Sequence, residues 1–314
     1  MRRVKLVSAV GGIVALSVST IGLIATIVLA MVLVVSIVSL LIYHQEHVLY
    51  IPVVMGYRTV EDNPEGYRSP SEWDVAHDDF YVETEDKQRI HGWHLKIPGS
   101  KATVIFCHEN AGNIGLRVNN LVAMARHLNV DVVAFDYRGY GSSSGRPSEQ
   151  GLMLDTDAVY TYVVEKLKPS NLFLYGRSLG GAVALQFAAC LGNRKDACVK
   201  GVMAENTFTS ISDMVNSVFP ILNIVLIKKY FLRLRWQTDK ILDQIKCPIL
   251  LISGLKDEIV PASHMADLKR ICDAHKLDAQ MITFAEGKHN DTWVVGGPVY
   301  WQNLLGFITR LSNN

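Results

Sequence analysis

The sequence predicts an α/β fold: a mostly parallel sheet of eight strands with helices on both faces, behind an N-terminal transmembrane helix. Three observations predict it. Short apolar runs alternate with amphipathic helical stretches from about residue 76 onward, the pattern of a parallel sheet covered on both sides. One junction, Gly176-Arg177-Ser178-Leu179-Gly180, is G-x-S-x-G set between a buried strand and a helix. Finally, no charged residue occurs from Leu6 to Ile42, and about 20 apolar residues suffice to cross a bilayer.

In chain order, the expected units are a membrane anchor over 1–42, a polar connector over 43–75, and a folded domain over 76–314 with a cap insertion at about 206–240. The span itself is expected near Ile21–Ile42, with Gly11-Gly12 in an interfacial lead-in. A cleaved signal peptide is the rival, but its apolar region runs to about 7–15 residues, so an anchor is favoured. Arg2, Arg3 and Lys5 precede the run, and no Lys or Arg follows it before Arg58. The positive-inside bias then puts the N-terminus in the cytoplasm and the domain in a lumen or outside the cell, a single-pass type II topology. In the connector, Asn63-Pro64 and Ser69-Pro70 mark turns.

Within the domain, Asp79–Glu83 and Ile90–Lys96 read as paired strands. Further strands are expected at Thr103–Cys107, Val130–Phe135, Asn171–Tyr175, Lys200–Ala204, Pro248–Ser253 and Gln280–Phe284. Helices are expected at Asn113–Leu128, Ser148–Lys166, Leu179–Cys190, Ala262–His275 and Val299–Leu311. The charge is balanced, 31 basic against 30 acidic residues, which gives no sign of a nucleic-acid partner. Cys107, Cys190, Cys198, Cys247 and Cys272 form no C-x-x-C pair and no metal-ligand spacing. No metal and no organic cofactor is expected. Cys107 falls in a buried strand and reads as core.

The chemistry is expected at the C-terminal ends of the strands, where ligands bind in open α/β sheets. A serine hydroxyl is a weak nucleophile without a base. For a strand-turn-helix elbow the partners follow in the order Ser, acid, His. Asp257 follows the strand that ends at Ser253, and His289 follows the last strand. Ser178, Asp257 and His289 are therefore the candidate triad. Asp257 also suits a loop cap, His289 is one of ten histidines, and Glu205, at the end of the preceding strand, is the alternative acid. An oxyanion hole needs two backbone donors, assigned to Leu179 and to Asn110 in the loop His108–Asn113. That loop also reads as a helix entry with Asn113 as N-cap.

Five ordered motifs carry a family resemblance: His-Glu-Asn-Ala-Gly-Asn at 108–113, Asp-Tyr-Arg-Gly-Tyr-Gly at 136–141, Gly-Arg-Ser-Leu-Gly-Gly at 176–181, Glu-Asn-Thr-Phe-Thr-Ser at 205–210 and Ser-Gly-Leu-Lys-Asp at 253–257. Over about residues 45–312 the chain resembles the α/β-hydrolase fold, and within it the membrane-anchored α/β-hydrolase domain-containing protein 13 group of serine hydrolases. The resemblance implies hydrolysis of acyl esters or thioesters, with amides second, and leaves the substrate open. Glu109 departs from the His-Gly-Asn of many relatives; a carboxylate there would repel developing negative charge unless it pointed away. The rival from another class is a catalytically silent, membrane-tethered binding module on the same fold. Loss of a triad residue would favour it, and none is lost.

The insertion after Glu205 holds the apolar run Ser217–Ile227, then Lys228, Lys229, Arg233 and Arg235 interleaved with Tyr230, Phe231, Leu232, Leu234 and Trp236. It is expected above Ser178 as a cap. Either its apolar part packs on the sheet, or it forms an acyl-chain channel with a basic, aromatic rim toward the bilayer. The second reading makes the substrate an acyl group on a lipid or acylated protein at a membrane.

Overall fold

A computed structural model describes residues 2–192, 194, 197–218 and 232–313. The chain divides into two compact units, Met1–Val48 and Leu49–Asn314.

Most of the first unit is one helix, Arg2–Tyr43. Its stretch Gly22–Leu40 has a mean hydropathy of 2.9 and is long and apolar enough to cross a membrane. The hydroxyl-bearing residue in the first turns of that stretch, Thr26, donates to Gly22 O at 2.9 Å, which satisfies the hydroxyl without water.

The second unit is built on an eight-stranded sheet: β1 His77–Glu83, β2 Arg89–Leu95, β3 Thr103–Cys107, β4 Asp131–Phe135, β5 Leu172–Arg177, β6 Val199–Glu205, β7 Ile249–Gly254 and β8 Ala279–Phe284. Their order is β1-β2-β4-β3-β5-β6-β7-β8. β1 pairs antiparallel with β2, and β2 with β4. All pairings from β4 to β8 are parallel. Alternate strand residues feed opposite faces, as a period of two requires. In β3, Ile105 and Cys107 join one core cluster while Val104 and Phe106 join the other. Helices Glu149–Tyr162, Leu179–Leu191 and Ser263–Ala274 cover the first face; Val118–Leu128 and Gly297–Ser312 cover the second. This is the α/β-hydrolase fold that the motifs imply. The parallel strands in the middle of the sheet aim their C-terminal ends at one edge.

Three expectations need correction. Of the connector expected over 43–75, the part from Leu49 on belongs to the same compact unit as the sheet. Ile51 bridges Ala111, and Asn63 and Asn113 exchange side-chain hydrogen bonds of 2.8 and 3.0 Å. The polar residues that read as solvated loop are thus satisfied against the domain. The helix expected from Asn113 begins as a tight 3-10 turn, Ile114–Arg117, and becomes α-helical at Val118. Asn113 does stand at the cap position, but its side chain makes no capping bond, because it is spent on Asn63 and on the carbonyls of Arg58 and Thr59. Finally, Leu234 and Trp236 do not form an outward rim: they are 5% and 0% exposed, and belong to the core. The insertion starts with a helix, Ile211–Val218; residues 219–231, which hold most of the expected channel, lie outside the described residues.

Candidate active site

β5 ends at Arg177 and the next helix starts at Leu179, so Ser178 alone turns the chain. Its backbone has φ +54° and ψ −122°, a region unfavourable for any residue with a side chain. Hydrogen bonds from both sides hold it there. The Ser178 N–H donates to Glu205 O at 2.9 Å, and the Ser178 carbonyl accepts from the Gly181 N–H at 3.0 Å and Thr207 Oγ1 at 2.8 Å. The flanking glycines are a spatial requirement. A Cβ on Gly176 would lie 1.9 Å from Gly180 O, and one on Gly180 would lie 1.9 Å from Cys107 O. The Leu179 N–H opens the helix, where N–H groups have no intrahelical acceptor and the dipole is positive.

Asp257 and His289 meet at the same sheet edge. His289 Nδ1 lies 2.8 Å from Asp257 Oδ2, and the two side chains are 4% and 1% exposed. The other Asp257 oxygen accepts the N–H groups of Ile259 and Val260, at 2.9 and 2.7 Å. The carboxylate is therefore fixed by its own turn before it meets the imidazole. With Nδ1–H donating to Asp257, the free lone pair of the ring is on Nε2, a tautomer assigned from this network. Glu258 is exposed and takes the His289 N–H at 3.4 Å. Among the described residues Ser178 Oγ and His289 make no direct hydrogen bond; such bonds are commonly long without substrate and tighten in the Michaelis complex.

Among the described residues the Glu205 carboxylate makes no hydrogen bond to the His289 imidazole. Its Oε1 accepts from Arg177 Nε at 2.8 Å, and its Oε2 accepts from the hydroxyls of Tyr175 and Tyr300. Arg177, wholly buried, also donates to Glu109 Oε1 at 3.0 Å. Glu109 in turn accepts from Arg117 Nε at 2.9 Å. Burial alone would raise the Glu109 pKa, but Arg117 and Arg177 outweigh it and hold the carboxyl well below the usual range. The carboxylate beside the oxyanion loop is thus turned into a buried ion pair. The Asn110 N–H has no acceptor among the described residues, while its carbonyl and side chain are both engaged. Cys107 has no reactive character: burial pushes its thiol up to about 12. Among the described residues no group of His, Cys, Asp and Glu is arranged to hold a metal ion.

Sequence reasoning missed Asn206. Its backbone sits at φ +47°, next to Glu205. Its Nδ2 donates to Lys288 O, His289 O and Thr292 Oγ1 at 3.0–3.1 Å, and its Oδ1 accepts the Gly254 N–H at 2.7 Å. One amide thereby joins the ends of β6 and β7 to the His289 loop. Its position inside Glu-Asn-Thr-Phe-Thr-Ser was the only signal that could have found it.

A parallel sheet with a strained serine at a strand-to-helix elbow and a His–Asp pair at later strand ends defines the class of α/β hydrolases. The chain belongs to the α/β-hydrolase family. Residues 98–242 match the family model described as serine aminopeptidase, S33. The chain is 34% identical to the α/β hydrolase domain-containing protein WAV2 of Arabidopsis thaliana, over 88% of this chain and 91% of that one. It is 35% identical to an uncharacterized membrane protein of Saccharomyces cerevisiae, over 86% and 91%. Among solved structures, the esterase Pf2001 of Pyrococcus furiosus superposes with a TM-score of 0.67 at 19% identity, covering 84% of this chain and 98% of that one. At that identity the likeness is one of fold.

Proposed function

We propose that this protein is a membrane-anchored serine hydrolase that cleaves acyl ester or thioester bonds through an acyl-enzyme. The observation that carries the reading is the 2.8 Å contact of His289 with Asp257 at the sheet edge where Ser178 stands strained. In this reading Ser178 Oγ attacks the carbonyl carbon as His289 Nε2 takes its proton. The N–H groups of Leu179 and Asn110 bind the oxyanion. Collapse expels the alcohol or thiol, with the proton returned by His289, and water repeats the sequence to release the acid. Asp257 holds the imidazole tautomer and stabilises its charged form. Amide cleavage is a second reading, favoured by the aminopeptidase description of the matching family model. The apolar stretch Gly22–Leu40 supports substrates presented at a membrane, lipids or acylated proteins.

A fluorophosphonate probe and a short chromogenic ester test this. The full chain should be labelled and should turn over; Ser178→Ala should lose both. Asp257→Asn should lose about 10⁴ in kcat. Glu205→Gln should keep most of its turnover in the folded fraction while losing about 3 kcal/mol of stability, since it removes one of the two carboxylates that pair with buried Arg177. Labelling that survives Ser178→Ala would refute the nucleophile. A crippled Glu205→Gln beside a mild Asp257→Asn would move the acid to β6.

A further inference from the structure

The helix Arg2–Tyr43 is followed by a short helix, Gln45–Leu49, and from Leu49 the chain runs along the loop His108–Asn113. Asn110 Nδ2 donates to Leu49 O at 2.8 Å. The Ile51 N–H donates to Asn110 O at 2.9 Å, and the Gly112 N–H donates to Ile51 O at 2.8 Å. Tyr140, from the loop after β4, donates its hydroxyl to the same Asn110 oxygen at 2.7 Å. A carbonyl oxygen has two lone pairs, so both are taken. Between the two strap residues, Tyr50 is 2% exposed, and its hydroxyl accepts the Trp236 indole N–H at 3.0 Å. Trp236 stands where the cap insertion returns to the domain, and Glu149 receives its backbone N–H at 2.9 Å.

The Asn110 N–H belongs to the peptide plane shared with the Glu109 carbonyl. That carbonyl accepts from His108 Nδ1 at 2.5 Å. The plane is thus held at its Glu109 end by the loop, and at its Asn110 end, among the described residues, by hydrogen bonds of the Asn110 carbonyl and side chain. Two of those three contacts come from Leu49 and Ile51.

We propose that Leu49–Ile51 is a positioning strap that aims the Asn110 N–H, so the first residues of the second compact unit set the rate of acyl transfer. This rests on the hydrolase reading above. Leu49 and Ile51 act through Asn110 and touch no substrate. Their contacts are backbone groups, so the strap tolerates side-chain change but not loss of its register.

The test uses the full chain in detergent. Asn110→Ala keeps the N–H and removes the tether to Leu49. Ile51→Pro removes the donor to Asn110 O; Ile51 is 40% exposed, so little packing is lost. Tyr140→Phe removes the second donor. Thermal melting, kcat, KM on a short ester, and amide exchange over 108–112 are measured for each. In folded variants kcat should fall about 10- to 100-fold with KM within about twofold, as expected when a reacting group is misplaced by an ångström or so. Exchange over 108–112 should accelerate. A merely structural strap would lower melting and leave kcat untouched, and that result overturns the proposal. If the parent chain turns over no ester, the hydrolase reading fails separately. Exchange then decides the strap: unaltered protection of 108–112 in Ile51→Pro refutes it.

Discussion

His108 shows how surroundings set a side chain's chemistry. Its ring is wholly buried beside Tyr137, with ring centroids 4.2 Å apart. Burial first, then the charge of Arg117, pushes its pKa down to about 4. In the unfolded chain a histidine titrates near 6.5. Between those values the unfolded chain binds the extra proton, so the stability contribution is full above about pH 6.5 and is lost toward pH 4, about 3 kcal/mol in all. His91 has the opposite sign: burial would lower its pKa, but Asp136 and Asp79 outweigh it and raise it. Its contribution is full below about pH 6.5 and is lost as pH rises through the folded value. Melting temperature against pH, for the parent and His108→Asn, separates the two. The parent should lose stability relative to the variant on acidification from about pH 6.5 to 4; parallel curves would contradict the assignment. Residue identities at the candidate site were legible where chemistry and spacing coincide. Ser178 has its glycines, and Asp257 and His289 follow successive apolar runs. Asn206 was not legible, because its value lies in four partners spread from Gly254 to Thr292.

At the scale of elements, the elbow depends on how closely β3 and the helix Leu179–Leu191 approach. Gly180 faces backbone, not a side chain that could swing aside. Gly180→Ala should cost about 1–3 kcal/mol by overpacking, and it should lower turnover because the helix start moves with it. A variant with unchanged melting and turnover would show that the two elements yield freely. Strands were legible almost to the residue, since apolar runs bounded by turns leave few alternatives. β5 runs past its expected end at Tyr175 because Gly176 and Arg177 continue the ladder with Ala204 and Glu205, and a charged residue such as Arg177 does not announce a buried strand. Its guanidinium finds Glu205, Glu109 and Asn120 inside the protein, a compensation no local pattern announces. The segment after Leu49 was misread for the same reason: its polar residues looked solvated, and their partners lie about 50 residues away, Asn63 with Asn113 among them.

For the whole molecule, the type II orientation expected from Arg2, Arg3 and Lys5 has a direct test. Pro98 is exposed in the turn before β3, at the sheet edge opposite Ser178. The substitution Pro98→Asn, with Gly99 and Ser100 following it, creates a glycosylation acceptor. A lumenal or extracellular domain should gain one glycan in animal cells. An unmodified chain that protease reaches from the cytosol would reverse the topology. The native acceptor, Asn290-Asp291-Thr292, serves poorly here, because Thr292 is buried and its hydroxyl is already bonded to Lys288 O and Asn206. The buried ion network under the oxyanion loop also bears on the order of events during synthesis. Ser178, Asp257 and His289 have all been made by the time residue 289 leaves the ribosome. Yet Glu205 lacks one of its two tyrosine hydroxyls until Tyr300 arrives on the last helix. The first residues of the folded domain hold Asn110, and nearly the last hold Glu205. A nascent chain therefore carries Ser178, Asp257 and His289 before the hydrogen bonds of Glu205 are complete.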